Sequence, residues 1–231
     1  MLGDPDSKVI REYAVLNEEA RGMQRGFARP GYYFIDANGL IREKFFEAKY
    51  RERLTGSSLI AKLFPELGQE VTDTIEAPHL QVALEQSDKV GFPGTHITLA
   101  LAVQLPSEVH VYAPGVQGYK PIKLVLDGMP EIEVKPAIYP NAQTLYLPAI
   151  RERVPVFEGS FRIDQDVKIS SSAGFWGSLG KDGLPLTIAG KLEYQACDKT
   201  TCYLPTAVPV KWQVQVLPLD RVRAPVDIRH K

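Results

Sequence analysis

From about residue 78 onward, apolar and polar residues alternate with the period of two that a half-buried strand demands. The runs HLQVALE, THITLALAVQL, EVHVYA, PIKLVLD, EIEVKPA, SFRIDQDVKIS, PLTIAGKLEYQA and VPVKWQVQV follow it, punctuated by Pro and Gly. Eight such runs predict a mainly β chain folded as an immunoglobulin-like β-sandwich. The alternation also assigns faces. Leu192 and Tyr194 share one side of KLEYQAC, and Trp212, Val214 and Val216 share one side of KWQVQV, with Lys and Gln between them. These are the predicted core faces.

Upstream the pattern is different. From Asp6 to about Glu66 it predicts a helix in KVIREYAVLNEEA, two strands in YYFID and LIREKFF joined by Ala37-Asn38-Gly39, and a helix in SSLIAKLF. The Asn38-Gly39 step is a strong hairpin signal. Ser57 or Ser58 is the expected cap of the second helix, with Leu59, Ile60, Leu63 and Phe64 as its apolar face. About sixty residues of αββα bury only a small core, so this piece reads as incomplete. The expected organisation is an N-terminal fragment over 1–66, a linker over 67–77, the sandwich over 78–218 and a charged tail over 219–231.

Composition narrows the function classes. With 231 residues, 44% hydrophobic and 24% charged, the chain suits one sizeable domain, alone or with a smaller piece. A net charge of -1 from 27 basic and 28 acidic residues gives no broad field for nucleic acid or anionic lipid. The longest apolar runs, such as ITLALAV, are strand-sized and far short of the roughly 20 residues a membrane-spanning helix needs, so no direct membrane insertion is expected. The start MLGDPDSKVIREYAV has no basic segment followed by an apolar block, so no signal peptide is expected in this chain.

The stretch DPDSKVIREYAVLNEEARGMQRGFARPGYYFIDANGLIREKFF resembles the C-terminal half of the redoxin and peroxiredoxin branch of the thioredoxin-like family. Its most specific part is ARPGYYFIDANGLI, which puts Pro30 where that family carries a cis-proline packed against the catalytic cysteine. A cis X-Pro bond costs only about 0.5–1 kcal/mol, which makes it tenable here. The family's catalytic cysteine has no counterpart at a matching position, so peroxidase chemistry is not expected. The resemblance implies a truncated thioredoxin-like half, belonging to a longer reading frame; the alternative is a free-standing αββα appendage packed on the sandwich.

Chemistry then rests on two cysteines, Cys197 and Cys202, separated by Asp198, Lys199, Thr200 and Thr201. A structural metal site needs about four ligands, and His79, His96, His110 and His230 are scattered along the chain away from the pair. No metal is expected. A structural staple is the second reading, but closing so short a loop stabilises by roughly 2 kcal/mol, against about 4.7 for a loop of about a hundred residues. Thiol-disulfide exchange is the third: a hairpin end is accessible, and Lys199 would favour the attacking thiolate.

The string GKLEYQACDKTTCYLPTAVPVKWQV, with its core YQACDKTTCYLP, resembles the N-terminal periplasmic domain of the thiol:disulfide interchange protein DsbD, over about residues 75–217. That resemblance implies an immunoglobulin-like sandwich that takes electrons from a membrane-embedded donor and passes them to thioredoxin-like clients outside the cytoplasm, with no bound cofactor. It matches Cys197 and Cys202 to the redox pair, Cys202 forming the mixed disulfide and Cys197 resolving it. The best-known members have five residues between the cysteines, and this chain has four. The family shields its disulfide with an aromatic cap, for which VFEGSFRI offers Phe157, followed by Glu158. The segment VHVYAPG places Tyr112 as a neighbour of the pair. The competing expectation is a non-catalytic immunoglobulin-like binding module whose hairpin disulfide pins a loop.

Overall fold

The computed structural model describes residues 4–47, 49, 52–67, 69–147 and 151–219. It is mostly β, with 48% strand and 12% helix. After a short helix α1 (Lys8–Glu12) come the hairpin strands β1 (Gly31–Ile35) and β2 (Ile41–Phe46), turning at Gly39 in the left-handed region at φ 78°. Then follow β3 (Arg53–Leu54), α2 (Gly56–Leu63), β4 (Glu70–Ala77), β5 (Leu80–Gln86), β6 (Val90–Gly91) and β7 (Thr95–Gln104). The chain continues through β8 (His110–Tyr112), β9 (Lys123–Leu126), β10 (Ile132–Val134), β11 (Gln143–Leu147), β12 (Glu152–Glu158) and β13 (Ser160–Ile169). It closes with α3 (Ala173–Ser178), β14 (Leu184–Tyr194), β15 (Ala196–Cys197) and β16 (Thr206–Val216).

A six-stranded sheet runs β10-β13-β7-β5-β4, with β3 added parallel to the start of β7. Two four-stranded sheets, β11-β12-β8-β15 and β6-β16-β14-β9, supply the other layer. One core joins all three: Leu84, Leu99 and Ile163 from the first meet Ile188, Leu192, Trp212 and Val214 from one partner sheet and Val111, Phe157 and Ala196 from the other. The faces predicted from alternation are the buried ones, with Leu192, Tyr194, Trp212, Val214 and Val216 each at most 2% exposed. Fully burying a large apolar side chain contributes about 1.5–3 kcal/mol, so this layer dominates stability. The buried indole N–H of Trp212 donates to the Glu85 carbonyl at 2.9 Å.

Strand β7 explains why ITLALAV reads as a nearly unbroken apolar run. Ile97, Leu99, Leu101 and Val103 face the core, while His96, Thr98 and Ala100 line the opposite face and are buried as well. Helix α2 lies over that outer face: the buried hydroxyls of Ser58 and Thr98 are 2.6 Å apart, and Lys62 pairs with Asp166 at 2.6 Å. The helix therefore presents small residues, Ser58 and Ala61, to the sheet. Ile60, expected on its apolar face, is half exposed. Its N-cap is Thr55, whose hydroxyl accepts from the Ser58 amide at 2.9 Å and donates to Asp88 at 2.7 Å, rather than either serine.

Two expected boundaries shift accordingly. Residues from Arg53 through α2 pair with or pack on the sandwich, although the sequence assigns them to the N-terminal fragment. The expected linker contains β4, an edge strand paired with β5 from Glu70 to Ala77. The Arg29–Pro30 bond is trans, which corrects the cis expectation at Pro30. Pro30 leads directly into β1, both cysteines lie far along the chain in another hairpin, and no thiol loop packs there to offset the cis penalty. The charged tail from residue 220 on, His230 included, lies outside the described residues.

Candidate functional site

At Gln195 the chain leaves β14 and enters β15, passing from one four-stranded sheet to the other. Cys197 ends β15, and Cys202 stands opposite it across a tight loop, joined to it by a disulfide. The loop is held from within by Asp198. Its carboxylate accepts from the Thr200 and Thr201 amides, both at 2.7 Å, and from the Tyr203 hydroxyl at 2.6 Å. These hydrogen bonds, the Tyr203 hydroxyl first, hold its pKa well below the usual carboxylate range. His79, in the turn between β4 and β5, stacks on Tyr203 with centroids 3.6 Å apart. The four-residue spacing thus makes a braced hairpin.

The two sulfurs differ in environment. Cys197 is 1% exposed, whereas Cys202 is exposed. Residues directly opposite one another in an antiparallel ladder project to the same face. Cys197 pairs with His110, and His110 with Glu158, which makes a row across β15, β8 and β12. The next row on that face holds Tyr112 and Val156. The Tyr112 hydroxyl lies 3.6 Å from both sulfurs. Burial pushes its phenol pKa up, so it stays protonated. Tyr119, from the loop after β8, stacks on Tyr112 at 4.3 Å, and its own hydroxyl donates to Glu152 at 2.7 Å.

His110 is 4% exposed, and its Nε2 has no hydrogen-bond partner among the described residues. Burial holds its pKa below the ordinary histidine value, against the opposing pull of Glu158 and Asp198. The imidazole is neutral near neutral pH.

Of the residues singled out by sequence, Cys197, Cys202 and Tyr112 come together. Phe157 does not: it points to the opposite face with Val111, joins the main core and stacks on Phe161 at 4.8 Å. The expected cap is corrected, because strand parity fixes Phe157 inside while Val156, one residue away, lies on the cysteine face. Glu158 is exposed at the far end of the row. Lys199 is exposed and pairs with Glu108, which diverts its charge from the sulfurs. Sequence reasoning missed His110, Tyr119 and Asp198. The signals were present: His110 and Tyr112 are two apart on one strand, and Asp followed by two Thr is an Asx-turn pattern.

One further polar cluster lies on the outer face of the six-stranded sheet, where Glu47, Glu52 and His96 bring possible ligand atoms within 4.8 Å. A cation is already built into it. The Lys168 ammonium reaches Glu52 at 3.0 Å and Glu133 at 2.6 Å.

A sandwich carrying a braced hairpin disulfide with one buried and one exposed sulfur defines a domain that presents a cystine at its edge. The chain belongs to the family described as thiol:disulfide interchange protein DsbD, N-terminal, whose model matches residues 81–212, more than half of it. Similar solved structures include the N-terminal periplasmic domain of ScsB from Proteus mirabilis, at 15% identity and TM-score 0.43, covering 64% of this chain and 52% of that one. The chain thus spans about half the length of that structure. The reduced Neisseria meningitidis DsbD N-terminal domain matches at 12% identity and TM-score 0.32, over 51% of this chain and 77% of that one. A yeast GGA1 GAE domain matches at 9% and 0.33, over 62% and 98%. No curated protein matches the chain. Among the described residues no helix is long and apolar enough to cross a membrane.

Proposed function

We propose that the chain is a thiol:disulfide exchange module working through Cys197 and Cys202. The observation that carries this reading is the unequal exposure of the two sulfurs. In the reduced protein the Cys202 thiolate is the one a partner disulfide can reach. It attacks a partner sulfur, a mixed disulfide forms, and the partner's other sulfur leaves as a thiolate. Cys197 then attacks Cys202, the mixed disulfide breaks, and the partner departs reduced. The two sulfurs carry both electrons, so no cofactor is needed.

The partners in this reading are thioredoxin-like proteins outside the cytoplasm, with electrons supplied by a membrane-embedded or thioredoxin-like donor. The family membership and the stability of disulfides in oxidising compartments support it. The resemblance of the first sixty or so residues to a redoxin half fits a protein whose thioredoxin-like neighbour lies on the same chain. A short flexible tether would raise its effective concentration towards the millimolar range.

The test is trapping. Mixed with the oxidised form of a thioredoxin-like protein, reduced Cys197→Ser accumulates a mixed disulfide through Cys202, and Cys202→Ser does not. Equal trapping by both variants, or by neither, overturns the reading.

A further inference from the structure

We propose that His110 is the base that takes the proton from Cys197 in the resolving step. The proposal rests on the exchange reading above and supplies what that reading lacks, a means of ionising a thiol that is almost wholly buried. A thiol in apolar surroundings resists ionisation, and only the thiolate attacks a disulfide. Cys197 lies among Val154, Val156 and Tyr112, so it needs a local proton acceptor.

The surrounding groups point to one candidate, since the Glu152 carboxylate is engaged by the Tyr119 hydroxyl at 2.7 Å. Asp198 spends its carboxylate on hydrogen bonds from Thr200, Thr201 and Tyr203 and is a poor base. Tyr112 touches both sulfurs but keeps its proton, so it donates to a thiolate rather than removing a proton from a thiol. Lys199 is a cation engaged with Glu108. Glu158 stands on the next strand, beyond His110. His110 is the direct cross-strand partner of Cys197, on the same face, and such partners have Cβ atoms about 4.5–5.5 Å apart. Its ring is buried, and its Nε2 is left without a hydrogen bond among the described residues. A buried polar atom without a partner calls for a reason. Burial keeps the ring neutral and able to accept.

The Cys197 proton passes to Nε2 of His110, the Cys197 sulfur bonds to the Cys202 sulfur, and the bond from Cys202 to the partner breaks with its electron pair on the partner sulfur. The protein is oxidised to the disulfide, the partner is reduced to a thiolate, and the imidazolium returns its proton to solvent. In reverse, the imidazolium protonates Cys197 as the disulfide opens.

Stopped-flow reaction of the reduced protein with dithiobis(nitrobenzoic acid) separates the steps. The first burst of nitrothiobenzoate reports attack by Cys202, and the second reports resolution by Cys197. His110→Gln should leave the first burst unchanged and slow the second about 100-fold near neutral pH, the scale of lost general-base catalysis. In the wild type the second burst should slow as pH falls through the histidine pKa. The variant should lose that limb. Glu158→Gln, an exposed substitution, removes a charge that raises the His110 pKa and should move the limb to lower pH. A second burst at the wild-type rate in folded His110→Gln overturns the proposal. Should that variant not fold, an unmoved limb in Glu158→Gln overturns it. The reagent needs no protein partner, so failure to trap a thioredoxin-like protein would sink the exchange reading without touching this result.

Discussion

His96 and His110 are buried almost equally, at 3% and 4% exposed, and each has an Nε2 without a hydrogen bond among the described residues. Burial depresses both pKa values. Their settings differ. His96 lies on the outer face of the six-stranded sheet, 3.5 Å from Glu47, opposite Lys168 and among the charges of Glu52 and Asp166. Opposing charges balance there, and no sulfur is near. His110 lies beside a cysteine whose partner sulfur reaches solvent. In the proposed mechanism a buried imidazole takes part in chemistry only where it adjoins a bond that can react. The outer-face cluster holds the fold, and the hairpin end is where the proposed exchange takes place.

The sharpest way to break that division is to strike each region and read both stability and exchange. Phe157→Ala should destabilise by about 3–5 kcal/mol, as other large-to-small core changes do, and shift the urea midpoint while leaving the exchange rate of folded molecules unchanged. A faster or slower exchange would restore Phe157 as a cap. Lys168→Met takes from the buried Glu52 carboxylate its shorter ion pair, at 3.0 Å, and leaves only exposed Lys49 at 3.5 Å; breaking a buried pair in this way costs up to about 3–5 kcal/mol. Urea unfolding should register that, again with no effect on exchange.

Acid separates the histidines more finely. A histidine that titrates below its unfolded value of about 6.5 makes the unfolded state bind more protons, so stability is lost as pH falls through that window towards the lower folded pKa. Replacing either histidine with Gln should flatten the stability profile below about pH 6.5, in urea midpoints taken across pH. Only His110→Gln should also change the sulfur kinetics. The smallest effect is expected at Lys199, which is exposed and paired with exposed Glu108. Lys199→Gln should leave the exchange rate within about twofold, as an exposed, screened pair allows, and a larger drop in stopped-flow rate would return that ammonium to the thiolate.

How much of this was legible in the sequence follows from what each residue's pattern encodes. The core faces of β14 and β16 were readable because Leu192, Trp212 and Val214 alternate with Lys, Gln and Glu. Strand β4 was not, since EVTDTIEA is an edge strand exposed over most of its length, and hydrogen bonds to β5 rather than apolar alternation define it. The burial of Ser58 and Ala61 was hidden because a helix packed on a sheet of small residues needs room more than hydrophobicity.

At the site, the cysteine pair was visible as a pair. The contrast between buried Cys197 and exposed Cys202 required the fold. Phe157 and Val156 differ by one position and lie on opposite faces, a parity fixed by the pairing of β12 with β8. The row from Glu158 through His110 to Cys197 joins three segments distant in sequence, so no local motif contains it.

A disulfide that exchanges and one that only staples differ in how readily they are reduced. Equilibrating the chain in graded dithiothreitol and glutathione buffers, then alkylating free thiols and weighing the product, reads the fraction of Cys197–Cys202 that is reduced. For the proposed exchange the midpoint should lie above about −300 mV, within reach of thioredoxin-like proteins at about −270 mV. A pair that stays oxidised across that whole range would contradict it.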